Sequence, residues 1–199
     1  MSRAALGFRA HSGWAAMVAL EGSVAAPRVI LRRRLDLLDR DIPGAAQPYH
    51  AASAMQLEEA EEFLNRCRSG THAAASYAIR GALEQIAQKG YRAVGGCVLM
   101  GSGRNVSDLK TILGSHPLLH TAEGQFYREA LKAGCTAWEV PVCGVKEKEA
   151  AGAAAKALGL PADEVERRVA DLGKLIGPPW RQDEKLSAMG AWIVLAGQS

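Results

Sequence analysis

The chain has 199 residues, 48% hydrophobic and 23% charged, the balance of an ordinary globular protein with enough apolar surface for a core of its own. A formal net charge of +3 does not by itself imply nucleic-acid binding, and no run approaches the about 18 consecutive apolar residues of a membrane span, so no membrane association is expected. Cys67, Cys97, Cys135 and Cys143 form no CxxC pair and read as buried free thiols, which suit a reducing cytoplasm.

From Met1 the chain runs straight into a strand pattern, without a long apolar signal region. Ala4 to Glu21 reads as one strand broken near His11-Ser12-Gly13. Its second half, Trp14 to Leu20, is apolar on both faces, as a central strand should be. Glu21-Gly22-Ser23 is a turn and Pro27 to Leu35 a second strand, giving an antiparallel hairpin. Pro43-Gly44 and Gln47-Pro48 break the chain, with room for a third short strand. A long helical stretch follows over Ala51 to Lys89, with Ser69-Gly70 placed to kink or split it. Tyr91 to Met100 is a strand. Ser107 caps a short helix from Asp108, and Ser115 caps a longer one over His116 to Lys132. Thr136 to Val142 reads as the last strand, and helices follow over Val145–Leu158, Pro161–Leu175 and Gln182–Leu195. The expected architecture is one domain over 1–199, an α/β mixed sheet of about five strands flanked by helices.

That order resembles the RNase H-like superfamily, and the back half looks like Holliday-junction resolvases of the RuvC type. In those proteins the last strand leads through a Pro and a Val-Lys pair into an Ala/Gly-rich segment with a Lys. Here Val140-Pro141 and Val145-Lys146 precede Ala151-Gly152-Ala153-Ala154-Ala155-Lys156. Glu164-Val165-Glu166-Arg167-Arg168-Val169 fits the Val-rich helix that comes next, and Asp183 opens the small-residue segment Leu186 to Ala191. At the front, Leu6-Gly7-Phe8 and Ser12-Gly13-Trp14-Ala15 look like the family's first strand.

The resemblance implies two Mg²⁺ ions held by an Asp of the first strand, a Glu of the fourth and acids of the last helix. This sequence departs from that pattern. The first-strand position falls near Phe8-Arg9-Ala10, Tyr91 to Met100 contains no carboxylate, and Asp183, with its neighbour Glu184, alone keeps its place. One acid, or an adjacent pair, cannot assemble a two-metal site, so Mg²⁺-dependent junction cleavage is expected to be absent.

The sharpest local feature is Ser115-His116-Pro117-Leu118-Leu119-His120-Thr121-Ala122-Glu123. On a helix His116, His120, Glu123 and Tyr127 fall on one face, where imidazoles and a carboxylate can ligate a divalent metal or do acid–base work. The bland reading is a first-turn His116 and a His120 satisfied by a polar neighbour. Arg9 and His11, at the break in the first strand, bring cationic character to the place where the related fold builds its site; the alternative is a polar strand end beside a Gly13 bulge. His50 alone reads as a cap or surface residue, and His72 as surface. Gly101-Ser102-Gly103-Arg104-Asn105 can cradle a phosphate but reads first as a strand-to-helix turn. Arg32 and Arg34 share one strand face and Arg33 the other, so a charged sheet edge is the default. Trp14 and Trp192 read as core, and Trp180 as exposed.

Two functions follow from these residues. In the first, His116, His120, Glu123 and Asp183 do the chemistry, while Arg9, His11 and Tyr127 hold a phosphorylated or nucleic-acid ligand, around a divalent metal. Arg9, His11, His116, His120, Glu123 and Asp183 are expected to converge on one pocket at the carboxyl end of the sheet. In the second, the chain is a catalytically inactive binding or assembly module that kept the fold.

Overall fold

A computed structural model describes residues 1–103 and 107–197. Three antiparallel strands open the chain: β1 (Ser2–His11), β2 (Trp14–Ser23) and β3 (Ala26–Asp36). Two helices, α1 (Pro48–Ala52) and α2 (Leu57–Gln88), lead to β4 (Tyr91–Met100). Then come α3 (Leu109–Leu113), α4 (His116–Thr136), β5 (Val142–Lys146), a short 3-10 turn over Glu147–Glu149, and α5 (Ala150–Leu158), α6 (Ala162–Ile176) and α7 (Gln182–Ala196). The sheet order is β3-β2-β1-β4-β5. β1 runs antiparallel to β2 and parallel to β4, and β4 runs parallel to β5. This is the mixed five-stranded sheet expected from the sequence.

β1 is central because it is apolar on both faces: Ala4 to Phe8 are buried without interruption. Alternation divides it. Ala4, Leu6 and Phe8 face a core with Leu64 and Ile79 of α2 and Tyr127 and Leu131 of α4. Ala5 faces a second core, with Val165 and Val169 of α6 and Leu186 and Trp192 of α7. α7 lies close enough that a Cβ on Gly7 would stand 1.8 Å from the Ser187 carbonyl oxygen, so only glycine fits there. Gly190 of α7 makes the reciprocal approach, where an added Cβ would stand 3.2 Å from Cys97 Cβ.

Several boundaries differ from the sequence reading. Ser12-Gly13 is a two-residue hairpin turn with Gly13 at φ +80°, so Ala4–Glu21 is two paired strands, with His11 opposite Trp14. No strand forms near Pro43–Pro48; the described residues there are turn and α1. α2 runs unbroken through Ser69-Gly70. Gly70 instead admits the loop after β3, where an added Cβ would meet the Asp39 carboxylate at 2.3 Å. Asp108, and not Ser107, caps α3 by accepting from the Thr111 N–H at 2.8 Å. Thr136 ends α4, and the last strand is Val142–Lys146, so Val145 belongs to a strand and not to a helix. β3 is an edge strand, as the arginine run suggested, and Arg32 uses its charge to hold the α6–α7 linker, donating to the Gly177 carbonyl at 2.9 Å and to that of Pro178 at 3.2 Å.

The aromatic readings divide. Trp192 is fully buried, but Trp14 is half-buried under the Arg34 guanidinium (3.9 Å to the ring centre). Trp180 is half-buried too, packed on Gly173, with its indole N–H donating to the Val169 carbonyl at 2.8 Å. His72 is half-buried, and burial lowers its pKa. Among the described residues no helix is long and apolar enough to cross a membrane.

Three cysteines are buried, but Cys143 is exposed, because edge strand β5 leaves it open to solvent. It lies opposite Cys97 in the β4–β5 register, and the hydrogen bond between the two thiols holds Cys143 down at about 7 while pushing Cys97 up. The thiolate is the reactive species. Cys143 is therefore expected to be the first of the four to react with iodoacetamide near neutral pH, giving a singly alkylated chain by mass spectrometry. Early modification of Cys67 or Cys135 would contradict this.

Candidate functional site

The carboxyl ends of β1, β4 and β5 meet on one edge of the molecule, the usual place for a site on parallel strands. Two clusters of polar side chains gather near it, one on each face of the sheet.

The first cluster is on the α7 face. Alternation that turns Gly7 toward α7 turns Arg9 and His11 the same way. Arg9 grips Glu147 with two parallel bonds, Nε to Oε2 at 3.0 Å and Nη2 to Oε1 at 2.6 Å. Its remaining arm pairs with Asp183 in the first turn of α7. His11 Nε2 lies 2.8 Å from the same Asp183 oxygen, and its ring stacks on Trp14 with centroids 4.2 Å apart. The bonds to Glu147, then those to Asp183, hold the Arg9 guanidinium above its ordinary pKa against the opposing effect of burial. Burial alone would raise the Asp183 carboxyl, but the hydrogen bonds from His11 and Arg9 outweigh it and leave its pKa below the ordinary value.

The second cluster is on the face covered by α2 and α4. Pro117 starts α4 and places His116 and His120 on its first two turns, exposed and with their Nε2 atoms 3.1 Å apart. His50, from α1, closes the group, its ring centre 5.3 Å from that of His116 and 4.7 Å from that of His120. Glu123, one turn further along α4, is only 3% exposed. Its Oε1 accepts from the His50 backbone N–H at 3.1 Å and lies 2.8 Å from His50 Nδ1.

The sequence-predicted residues are therefore brought together in two groups and not in one. Arg9 and His11 both contact Asp183, and His116, His120 and Glu123 join a different set. The reason is the two-residue alternation of β1, which sends Arg9 and His11 away from α4. Tyr127 shares the α4 stripe but is fully buried, its hydroxyl donating toward the carbonyls of Ala45 at 2.7 Å and Ala46 at 3.1 Å. It anchors the loop before α1, and burial pushes its pKa up.

Three further residues escaped sequence reasoning. His50 meets Glu123 across 73 positions of chain, so no local spacing could flag it. Glu147 was hidden by the misplaced end of β5; a charged residue directly after a parallel strand was the available signal. Arg128 of α4 reaches back to the sheet end, where its Nε donates to the Leu99 carbonyl at 3.1 Å, and burial lowers its pKa. With Gly101, Gly103, Gly124, Gly144 and Lys146 it lines a cavity of about 570 Å³ that His120 also borders. Among the described residues that line it there is a lysine, an arginine and a histidine, and no carboxylate. Arg104 and Asn105 of the glycine loop lie outside the described residues.

The Mg²⁺ pair implied by the sequence resemblance does not fit these side chains. A hard divalent ion needs several oxygen ligands, yet a guanidinium stands between the two carboxylates at the sheet end and β4 offers none.

No protein-family description matches the chain, nor does any curated protein sequence. Solved structures do. The T. thermophilus RuvC in complex with Holliday junction substrate is 11% identical, with 98% of this chain and 95% of that chain covered at a TM-score of 0.55. A second Thermus thermophilus RuvC structure is 12% identical, with 100% of this chain and 96% of that chain covered at a TM-score of 0.54. The chain thus has the RNase H-like fold of the RuvC structures, and at this identity the likeness speaks for the fold alone.

Proposed function

We propose that the chain acts as one RNase H-like domain that binds nucleic acid through its phosphates and does not cleave it by two-metal hydrolysis. The observation that carries this reading is Arg9. Its guanidinium spans Glu147 and Asp183, and so occupies with a fixed cation the position between carboxylates that a metal ion would need. A bidentate arginine is always charged and is not exchanged for solvent ions. Asp183 and His11 are in this view the supports of that arginine, and not an acid–base pair.

Binding is assigned to the cavity beside it. Arg128 and Lys146 supply positive charge, and the exposed Gly101 and Gly103 leave backbone accessible directly after β4. Lys146 also pairs with Glu149 at 3.3 Å, but both are exposed, so that pair is weak and can yield to a phosphate. One of the similar RuvC structures was solved with a Holliday junction, which makes branched DNA the first ligand to try. Four unpaired thiols suit a reducing cytoplasm.

The test is fluorescence anisotropy with labelled four-way junction, duplex and single-stranded DNA over a salt series, together with a Mg²⁺ cleavage assay. Binding should weaken as salt rises. Lys146→Ala combined with Arg128→Gln should lower affinity by roughly tenfold or more, about 1.4–3 kcal/mol for two phosphate contacts. No strand should be cut. Mg²⁺-dependent cutting abolished by Asp183→Asn, or no binding to any of the three DNAs at low salt, would refute the proposal.

A further inference from the structure

We infer that His50, His116 and His120 form a binding site for a divalent transition metal of the zinc class. The three imidazoles come from two helices, α1 and α4, and each offers one ring nitrogen, all within 4.8 Å of one another. Nitrogens bound to tetrahedral zinc at about 2.0–2.1 Å must lie roughly 3.3 Å apart. The His116 and His120 Nε2 atoms already stand 3.1 Å apart, and the His50 nitrogen, within 4.8 Å of both, has to close by no more than about 1.5 Å to reach that spacing.

The protonation pattern points the same way. Glu123 is buried and lies 2.8 Å from His50 Nδ1, so Nδ1 carries the proton that it donates, and the lone pair falls on Nε2. A carboxylate behind a ligating histidine, fixing its tautomer and orientation, is the usual outer support of a zinc-bound imidazole. His116 and His120, by contrast, set two ring nitrogens against each other. That contact is favourable only with a cation between them or with a proton on one of the two. A metal ion supplies the first and satisfies His50 as well.

Ligand type selects the metal. Three neutral imidazoles suit Zn²⁺, Co²⁺, Ni²⁺ or Cu²⁺ and do not suit Mg²⁺ or Ca²⁺, which take oxygen. Three protein ligands leave a tetrahedral position for water or another donor. His116 and His120 are exposed, so that position is reachable from solvent. The site is independent of the Arg9 cluster, which lies on the opposite face of the sheet, and among the described residues its tie to the glycine-lined cavity is His120.

The experiment is a Zn²⁺ titration of the chelator-stripped full chain against a chromophoric competitor, with Co²⁺ absorption as a readout of tetrahedral nitrogen ligation. Cys143→Ser serves as the background, so that the exposed thiol cannot supply the binding. One Zn²⁺ per chain is expected, with unchanged affinity in that background. Glu123→Gln should weaken binding about 10- to 100-fold, the usual cost of losing an outer support. His116→Ala and His120→Ala should each weaken it more, and because both residues are exposed their replacement should leave the thermal transition of the metal-free protein in place. Lys146→Ala should not alter zinc affinity even where it weakens DNA binding, which separates this site from the DNA reading. Failure to bind zinc stoichiometrically at micromolar concentration, or equal affinity in a His116→Ala/His120→Ala double variant, would overturn the inference.

Discussion

Gly7→Ala is expected to destabilise the protein by about 3 kcal/mol or more, at the upper end of what overpacking a core costs. The added Cβ would sit 1.8 Å from the Ser187 carbonyl oxygen and 2.7 Å from the Ala191 nitrogen. Both obstacles are backbone, so no rotamer change relieves them, and α7 must lift from β1. That motion is costly because α7 is buried nearly all round, with Leu186 to Trp192 in the core behind the sheet. For a domain whose whole stability is of order 5–15 kcal/mol, such a loss is large. It should also part Asp183 from Arg9, because the helix that packs on Gly7 carries Asp183 in its first turn. Chemical denaturation of the variant checks this; a midpoint within error of the parent's would show that α7 is not held as tightly as the contact implies.

Arg9→Ala should cost about 2–3 kcal/mol near neutral pH. Removing one partner of a fully buried pair costs more, about 3–5 kcal/mol, but the side chains here are 20% exposed at Arg9, 35% at Glu147 and 24% at Asp183, so solvent screens part of the effect. The loss has a predictable pH course. Asp183 has a lowered pKa in the folded state, so its contribution is present above the ordinary carboxylate pKa and is lost as the pH falls through the lowered value. The gap between parent and variant should accordingly be full near neutrality and narrow in acid. Arg9→Asp should be worse still without metal, and Mg²⁺ should raise its melting temperature, because three carboxylates would then surround the position the guanidinium held. Equal stability of parent and Arg9→Ala at pH 7 would show that the arginine is not the cation on which this cluster depends.

The sheet was legible in the sequence because burial leaves a composition signature. β1 and β2 are covered on both faces and so appear as unbroken apolar runs, and β4 is framed by Gly90 and Gly101. The Ser12-Gly13 turn was read as a break within one strand because two residues between apolar runs look alike whether the chain bulges or reverses. Val140-Pro141 drew the last strand too early. Cys135 and Thr136 belong to the end of α4, and the strand begins only after the proline, which has no N–H for the ladder. The candidate sites were half legible. The helical stripe His116, His120 and Glu123 is a local spacing, and Arg9, His11 and Asp183 stand where the resemblance put a site. Which face each group occupies depends on the helix that covers each side of β1, a long-range fact. His50 reaches Glu123 only through tertiary packing, so its sequence neighbourhood carries no trace of the contact, whereas Glu147 had one local signal, its place directly after a parallel strand, which the misplaced strand end concealed.

The parallel pairing of β1 with β4 also bears on how the chain folds. Residues 2–36 can zip as a meander through short turns, whereas Phe8 meets Val98 only after a loop of some ninety residues has closed, and that closure costs entropy before any pairing repays it. His50 lies within that loop, and Gly101 and Arg128 lie beyond the strand that closes it. The meander can therefore gain local order while neither the imidazole group nor the glycine-lined cavity exists. Both become competent only when β4 docks, so a ligand of either one would hold the closed topology and report on it.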